Sequence, residues 1–209
     1  MVLTTAAAAA AQDAPSRGPR ADATAVVGWQ LIHGDDRDFY RGRDWHSSFF
    51  TGGGGGLYWT AHLKTEVDAG TGTQVHTYRS RRLTINGRDA FQSSHRASSR
   101  RMVAVSQQYQ FLENAWVHPH VAVGVNLTWE RSREQFEPAF ASDSATGRQE
   151  LVSPARVEVH DYELSVRPFI GAGMKAYLSP RAFFRTDLRV AFDRGFDESL
   201  LRVGFGFDF

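Results

Sequence analysis

The sequence predicts an all-β fold, an eight-stranded antiparallel up-and-down barrel built to cross a membrane. Three observations carry that prediction. Beyond residue 24, apolar and polar residues alternate with period two and helical periodicity is scarce. Several alternating stretches reach the ~9–11 residues that a tilted strand needs to cross a bilayer, against ~5–6 in a typical soluble strand. Short and long connections also alternate, as they do when short turns lie on one side of a membrane and long loops on the other.

Composition narrows the functional classes. Lys plus Arg number 24 against 23 Asp plus Glu, so no global field draws nucleic acid. No stretch approaches the ~18–20 apolar residues of a membrane-spanning helix. The absence of cysteine removes disulfides, thiolate metal sites and cysteine nucleophiles.

The N-terminal stretch MVLTTAAAAAAQDAP has small residues before Gln12, with an Ala-X-Ala pattern that places a cut near Ala11. Residues 1–11 read as a signal-peptide remnant whose missing basic segment a truncated start would explain. The alternative is a frayed Ala-rich tail. Residues 12–23 read as a flexible lead-in and residues 24–209 as the barrel.

The candidate strands are 24–33, 55–67, 74–85, 100–111, 117–130, 161–178, 182–193 and 200–209. TAVVGWQLI and GLYWTAHLKTEV alternate loosely. The third and fourth strands are the least regular: VHTYRSRRLTI puts arginines on both faces, and Gln107 interrupts the apolar side of RMVAVSQQYQF. Both segments are candidates to project beyond the membrane. WVHPHVAVGVNLTW sets Val121, Val123, Val125, Leu127 and Trp129 against His118, His120, Gly124, Asn126 and Thr128. YELSVRPFIGAGMKAYLS sets Leu164, Val166, Ile170 and Met174 against Glu163, Arg167, Gly171 and Lys175. AFFRTDLRVAFD opposes Phe184, Leu188, Val190 and Phe192 to Arg185, Asp187 and Arg189. In the last strand Leu201, Val203, Phe205, Phe207 and Phe209 share one face, and Leu200, Arg202, Gly204, Gly206 and Asp208 the other.

DAGTGT, LENAW and SPR read as the short turns; 34–54, 86–99, 131–160 and 194–199 read as the longer loops. GGGGG at 52–56 lacks the context of a phosphate loop and reads as flexible loop. Aromatics of the apolar face fall into two belts, with Phe111, Phe184, Phe207 and Phe209 near the short turns and Trp129, Tyr162 and Phe192 near the loops.

An eight-stranded barrel is just wide enough to be filled by its own side chains. His62, Lys64, Glu66, His118, His120, Glu163, Arg167, Lys175, Arg185, Asp187, Arg189 and Arg202 fall on the inward face and are the expected polar network of the lumen. Mutual pairing of these charges would keep the lumen closed, since buried charges persist only when partnered; a narrow polar conduit is the alternative. The HPH of 118–120 has a spacing usable by a metal, but no third ligand is identified, so lumen filling is the reading adopted. No Ser follows either histidine closely, and His160 with Asp161 lies beside no evident nucleophile, so the motifs give an enzyme no support.

From GAGMKAYLSPRAFFRTDLRV and the terminal RVGFGFDF, the chain resembles the outer-membrane protein β-barrel family, the small eight-stranded barrels of Gram-negative bacteria. As architecture the resemblance covers residues 24–209. It implies a porin-like monomer in the cell outer membrane, in contact with outer-membrane lipid and needing no cofactor. It further implies that Phe205, Phe207 and Phe209 present the signal read by the barrel-assembly machinery. A structural or surface-interaction role with a side-chain-filled lumen is the expectation. A lipid A-modifying enzyme is the alternative, then a soluble secreted lipid-binding barrel, although VGWQ lacks the Gly-X-Trp entry of a lipocalin-like strand.

Overall fold

In the computed structural model, residues 21–33, 45–85, 88–112, 116–142, 148–193 and 195–209 are described. The described residues form eleven strands and no helix: β1 (Ala21–His33), β2 (Trp45–Tyr58), β3 (Leu63–Gly72), β4 (Val75–Ile85), β5 (Arg88–Gln110), β6 (Val117–Phe136), β7 (Ala139–Ser142), β8 (Gln149–Ser153), β9 (Arg156–Tyr177), β10 (Ala182–Phe192) and β11 (Phe196–Asp208). Eight of them close a ring in the order β1-β2-β3-β5-β6-β9-β10-β11, and β11 returns to β1 along Asp22↔Asp208 through Ile32↔Glu198. Every pairing in the ring is antiparallel. Closure leaves no stave edge unpaired, which a bilayer requires of a sheet.

The alternation read from the sequence is the alternation of the wall. Outward Ile170, Leu201, Phe205 and Val123 are each more than half exposed, whereas Lys175, Arg185, Arg189 and Arg202 on the other face are buried. The excess apolar exposure forms a continuous band around the ring, bordered by aromatic rings. On the turn side Tyr109 meets Phe111 at 5.1 Å, Phe184 meets Phe205 at 5.5 Å, and Phe207 meets Phe209 at 5.5 Å. Toward the loops, Trp45 lies 5.0 Å from Phe196.

Three expected limits are corrected. The segment 55–67 is not one strand: it contains the end of β2, a turn at residues 59–62 and the start of β3. DAGTGT is not a turn; residues 68–72 continue β3, and Thr65, Val67, Ala69 and Thr71 hold too little hydrophobicity to announce it. The third stave is therefore β3, and the expected third strand, now β4, pairs only with the upper half of β5, outside the ring. Its arginines on both faces suit a position in water and not in lipid.

The loops at 86–99 and 131–160 are also largely strand. β5, β6 and β9 contain 23, 20 and 22 residues, about twice the ~9–11 that cross a bilayer, so they continue as a sheet with β4 beyond the loop-side rim. The β7–β8 hairpin docks on it through Ala90↔Ala141. Likewise 45–54 belongs to β2, Ala21–Ala23 to β1, and Phe196–Ser199 to β11. The expected signal remnant 1–11, the lead-in up to 20 and the loop residues 34–44 lie outside the described residues.

GGGGG lies in the turn-side half of β2, not in a flexible loop. Gly52↔Val26 through Gly56↔Asp22 pair with β1, and Gly52↔Gly70 through Gly56↔Glu66 with β3. A Cβ on inward Gly54 would come within 2.4 Å of Asp68 Oδ1, and one on Gly56 within 2.6 Å of Lys64 Cδ. The run leaves room for charged side chains in the lumen.

Candidate functional site

The inner face of the ring holds two charged tiers. In the middle tier three guanidinium groups, Arg185, Arg189 and Arg202, face three carboxylates, Glu66, Asp68 and Asp187. Arg185 Nη1 donates to Glu66 Oε2 at 2.5 Å and its Nε to Asp187 Oδ2 at 3.0 Å. Arg189 Nη2 donates to Asp68 Oδ2 at 2.5 Å and Glu66 Oε1 at 3.1 Å. Arg202 donates through Nε and Nη2 to Asp187, at 2.9 and 3.1 Å, and its Nη1 lies 3.3 Å from Asp68. Each cation thus has at least two carboxylates, and the formal charges cancel. That geometry is what a low-dielectric interior demands, because an unmatched buried ion costs several kcal/mol.

The turn-side tier balances in the same way. Lys64 Nζ lies 2.9 Å from Asp22 and 2.6 Å from Glu66, linking the tiers. Lys175 Nζ donates to Asp208 at 2.7 Å, Asp22 at 3.2 Å and the Tyr58 hydroxyl at 2.8 Å. Tyr58 in turn donates to Asp22 at 3.0 Å, and Tyr177 donates to Asp208.

Toward the loops, buried Val26, Phe50, Met102 and Leu200 form an apolar cluster, and Phe169 packs with Ala104 and Ala191. Above them Glu198 accepts from Gln30 at 2.7 Å and lies 3.5 Å from Arg167, which pairs with Asp197 at 2.8 Å. A cavity of about 730 Å³ opens at this end, lined among others by Arg79, Arg96, Arg100, Glu130, Arg167 and Asp197. Arg100 pairs with Glu130 there at 2.7 Å.

Of the residues expected in the network, Lys64, Glu66, Lys175, Arg185, Asp187, Arg189 and Arg202 come together as one buried assembly. Arg167 belongs to the loop-side mouth. His62 is half-buried at the turn side, its Nδ1 2.9 Å from the Gln110 carbonyl oxygen. His118 is half-buried and edge-to-face with Tyr177, ring centroids 5.3 Å apart, and His120 is buried without joining the ion pairs. Glu163 is corrected: it has the inward parity but is exposed, because β9 at that height has passed the rim, beside a bulge between Glu130 and Ser132 of β6.

The carboxylates Asp22, Asp68 and Asp208 were not expected in the network. Asp22 lay in the supposed lead-in and Asp68 in the supposed turn, while Asp208 already showed the inward parity. Parity read up to two residues beyond the expected strand ends would have found Asp22 and Asp68. Among the described residues no group of three or more His, Asp or Glu is placed to hold a metal. The terminal Phe205, Phe207 and Phe209 lie on the outer face at the turn-side rim.

No protein-family model and no curated protein matches the chain. Solved structures do. Neisserial surface protein A aligns over 92% of this chain and 100% of its own, with 13% identity and a TM-score of 0.50. The outer membrane protein OprG from Pseudomonas aeruginosa aligns over 91% and 97%, with 13% identity and a TM-score of 0.47. The N-terminal β-barrel domain of Pseudomonas aeruginosa OprF covers 92% and 100%, with 14% identity and a TM-score of 0.46. At such identities likeness speaks of architecture alone, and by its closed ring of eight antiparallel staves this chain has the fold of the small outer-membrane β-barrels.

Proposed function

We propose that the protein is an integral outer-membrane barrel whose lumen is closed to ions and whose working surface is the sheet raised above the loop-side rim. The observation that carries this reading is the middle tier, three guanidinium groups locked to three carboxylates across the lumen. A wall so filled offers stability and no pore. The raised sheet supports a surface role: Tyr78, Phe91, Phe140 and Leu151 are exposed there, and the β4–β5 hairpin brings Arg79, Arg81, Arg82, Arg88 and Arg96 with Asp89 as its only acid.

The test is electrical. Purified protein in a planar phospholipid bilayer is expected to give no stable conductance in potassium chloride; a reproducible open-channel current would overturn the closed-lumen reading. Placement in the outer membrane is tested through the terminal ladder. Deleting Phe209 is expected to impair assembly in cells far more than refolding in micelles, read by heat-modifiable gel mobility. Wild-type assembly of the deletion variant in cells would reduce Phe205, Phe207 and Phe209 to lipid-facing packing.

A further inference from the structure

The two sides of the lumen are chemically unlike. Opposite the ion-paired wall, the inner face of β5 and β6 carries neutral polar groups with atoms that no other described residue satisfies. Five successive cross-strand pairs, Met102↔Thr128, Ala104↔Asn126, Ser106↔Gly124, Gln108↔Ala122 and Gln110↔His120, form this seam. Each contributes one residue with an orphaned polar atom: Thr128 Oγ1, Asn126 Oδ1, Ser106 Oγ, Gln108 Oε1, and both ring nitrogens of His120 have no hydrogen-bond partner among the described residues. All five residues are at most 3% exposed. Other orphaned atoms inside the barrel, Thr24 Oγ1 apart, belong to charged groups paired through another atom.

Buried polar groups are almost always satisfied, and internal water is the usual partner when protein groups are out of reach. Successive rungs on a strand face are ~6.7 Å apart, and one water accepting and donating at ~2.8 Å spans most of that interval. Ala104 and Ala122 place only a methyl group opposite Asn126 and Gln108, and Gly124 no side chain opposite Ser106. At Gly124 the seam is tight, since a Cβ there would stand 2.7 Å from Ser106 Cβ and 2.8 Å from the ring of Phe169.

We propose that this seam holds a file of internal water along which protons, but not other ions, pass between the loop-side vestibule and the turn-side end of the barrel. Arg100 and Glu130, the next pair above Thr128, open on the vestibule. At the other end His120 takes a proton on one ring nitrogen and releases one from the other toward half-buried His118, two residues along the same face. The HPH motif is thereby a relay at the mouth. The proposal rests on the closed-lumen reading only for the exclusion of ions.

The full chain is reconstituted in phospholipid vesicles holding a pH-sensitive dye, with the membrane potential clamped by valinomycin and potassium, and chloride efflux recorded on the same preparation. Proton flux is expected to exceed that of protein-free vesicles. The triple variant Ser106→Ala, Asn126→Leu, Thr128→Val is expected to return to the protein-free rate, and Phe169→Ala to exceed wild type. Should the triple variant not fold by gel mobility, His120→Phe is measured in its place with the same expectation. Wild-type proton flux no faster than in protein-free vesicles, or unchanged in the variant that folds, would mean isolated waters only and overturn the relay. Chloride efflux would instead overturn the closed lumen.

Discussion

Asp22 and Asp208 are directly opposite across the seam where the last strand meets the first, both pointing inward. Like charges so placed repel, and Lys175 offsets them by donating to both carboxylates at once. Lys175→Met keeps the length of the side chain and removes its charge. Breaking a buried pair in this way costs roughly 3–5 kcal/mol. The variant is expected to lose its compact, heat-modifiable band at a lower temperature or urea concentration than wild type. The double variant Lys175→Met, Asp208→Asn is expected to recover part of that loss, since one of the stranded charges is gone. Lys175 was legible as inward from its strand alone; its two partners, Asp22 and Asp208, lie 153 and 33 residues away in sequence.

At the scale of the element, β2 shows how a strand can lack every usual sign of one. Glycine has low β-propensity, and a run of five reads as flexible chain. Here the run is held by pairing on both sides, and its inward members make room for Lys64 and Asp68. Gly54→Ala is expected to destabilise by about 1–3 kcal/mol through overpacking, measured by urea unfolding in micelles. Gly55→Ala faces outward with a single close approach, 3.1 Å to the Asp22 carbonyl, and is expected to be much milder. The β4 strand gives the reverse case. It alternates only weakly and pairs outside the ring, so replacing residues 75–98 with a short Gly-Ser turn is expected to leave the barrel's heat-modifiable mobility intact. Loss of the folded band would show that β4, or the upper half of β5 removed with it, supports a stave.

For the whole molecule, the governing fact is the apolar band on the outside. Ile170 lies on it, 55% exposed to what a bilayer would cover. Ile170→Arg is expected to cost about 2–4 kcal/mol in refolding into lipid bilayers if it lies at the midplane, as lipid-facing arginines do. Inward Gly171 has the Arg189 side chain 3.2 Å from a Cβ position, so Gly171→Arg is expected to fail by overfilling the lumen. A lipid-soluble spin label should quench probes at 170 and 172 and spare one at 175; equal quenching at all three would refute the facing.

The sequence by itself determined which way side chains point. Period-two alternation is a local property of a strand, so the inward Lys64, Glu66, Arg185, Asp187, Arg189 and Arg202 and the outward terminal ladder were readable wherever the strand itself was recognised. It determined the antiparallel eight-stave plan for the same reason, because long alternating runs leave few other ways to bury backbone in lipid. Only the tertiary structure decided which segments are staves. Pairing is non-local: β3 enters the ring and β4 does not because β5 offers its lower half to one and its upper half to the other. The same non-locality set Asp22 against Asp208, turned five glycines into a strand, and lined up on β5 and β6 polar groups with atoms that no other described residue satisfies.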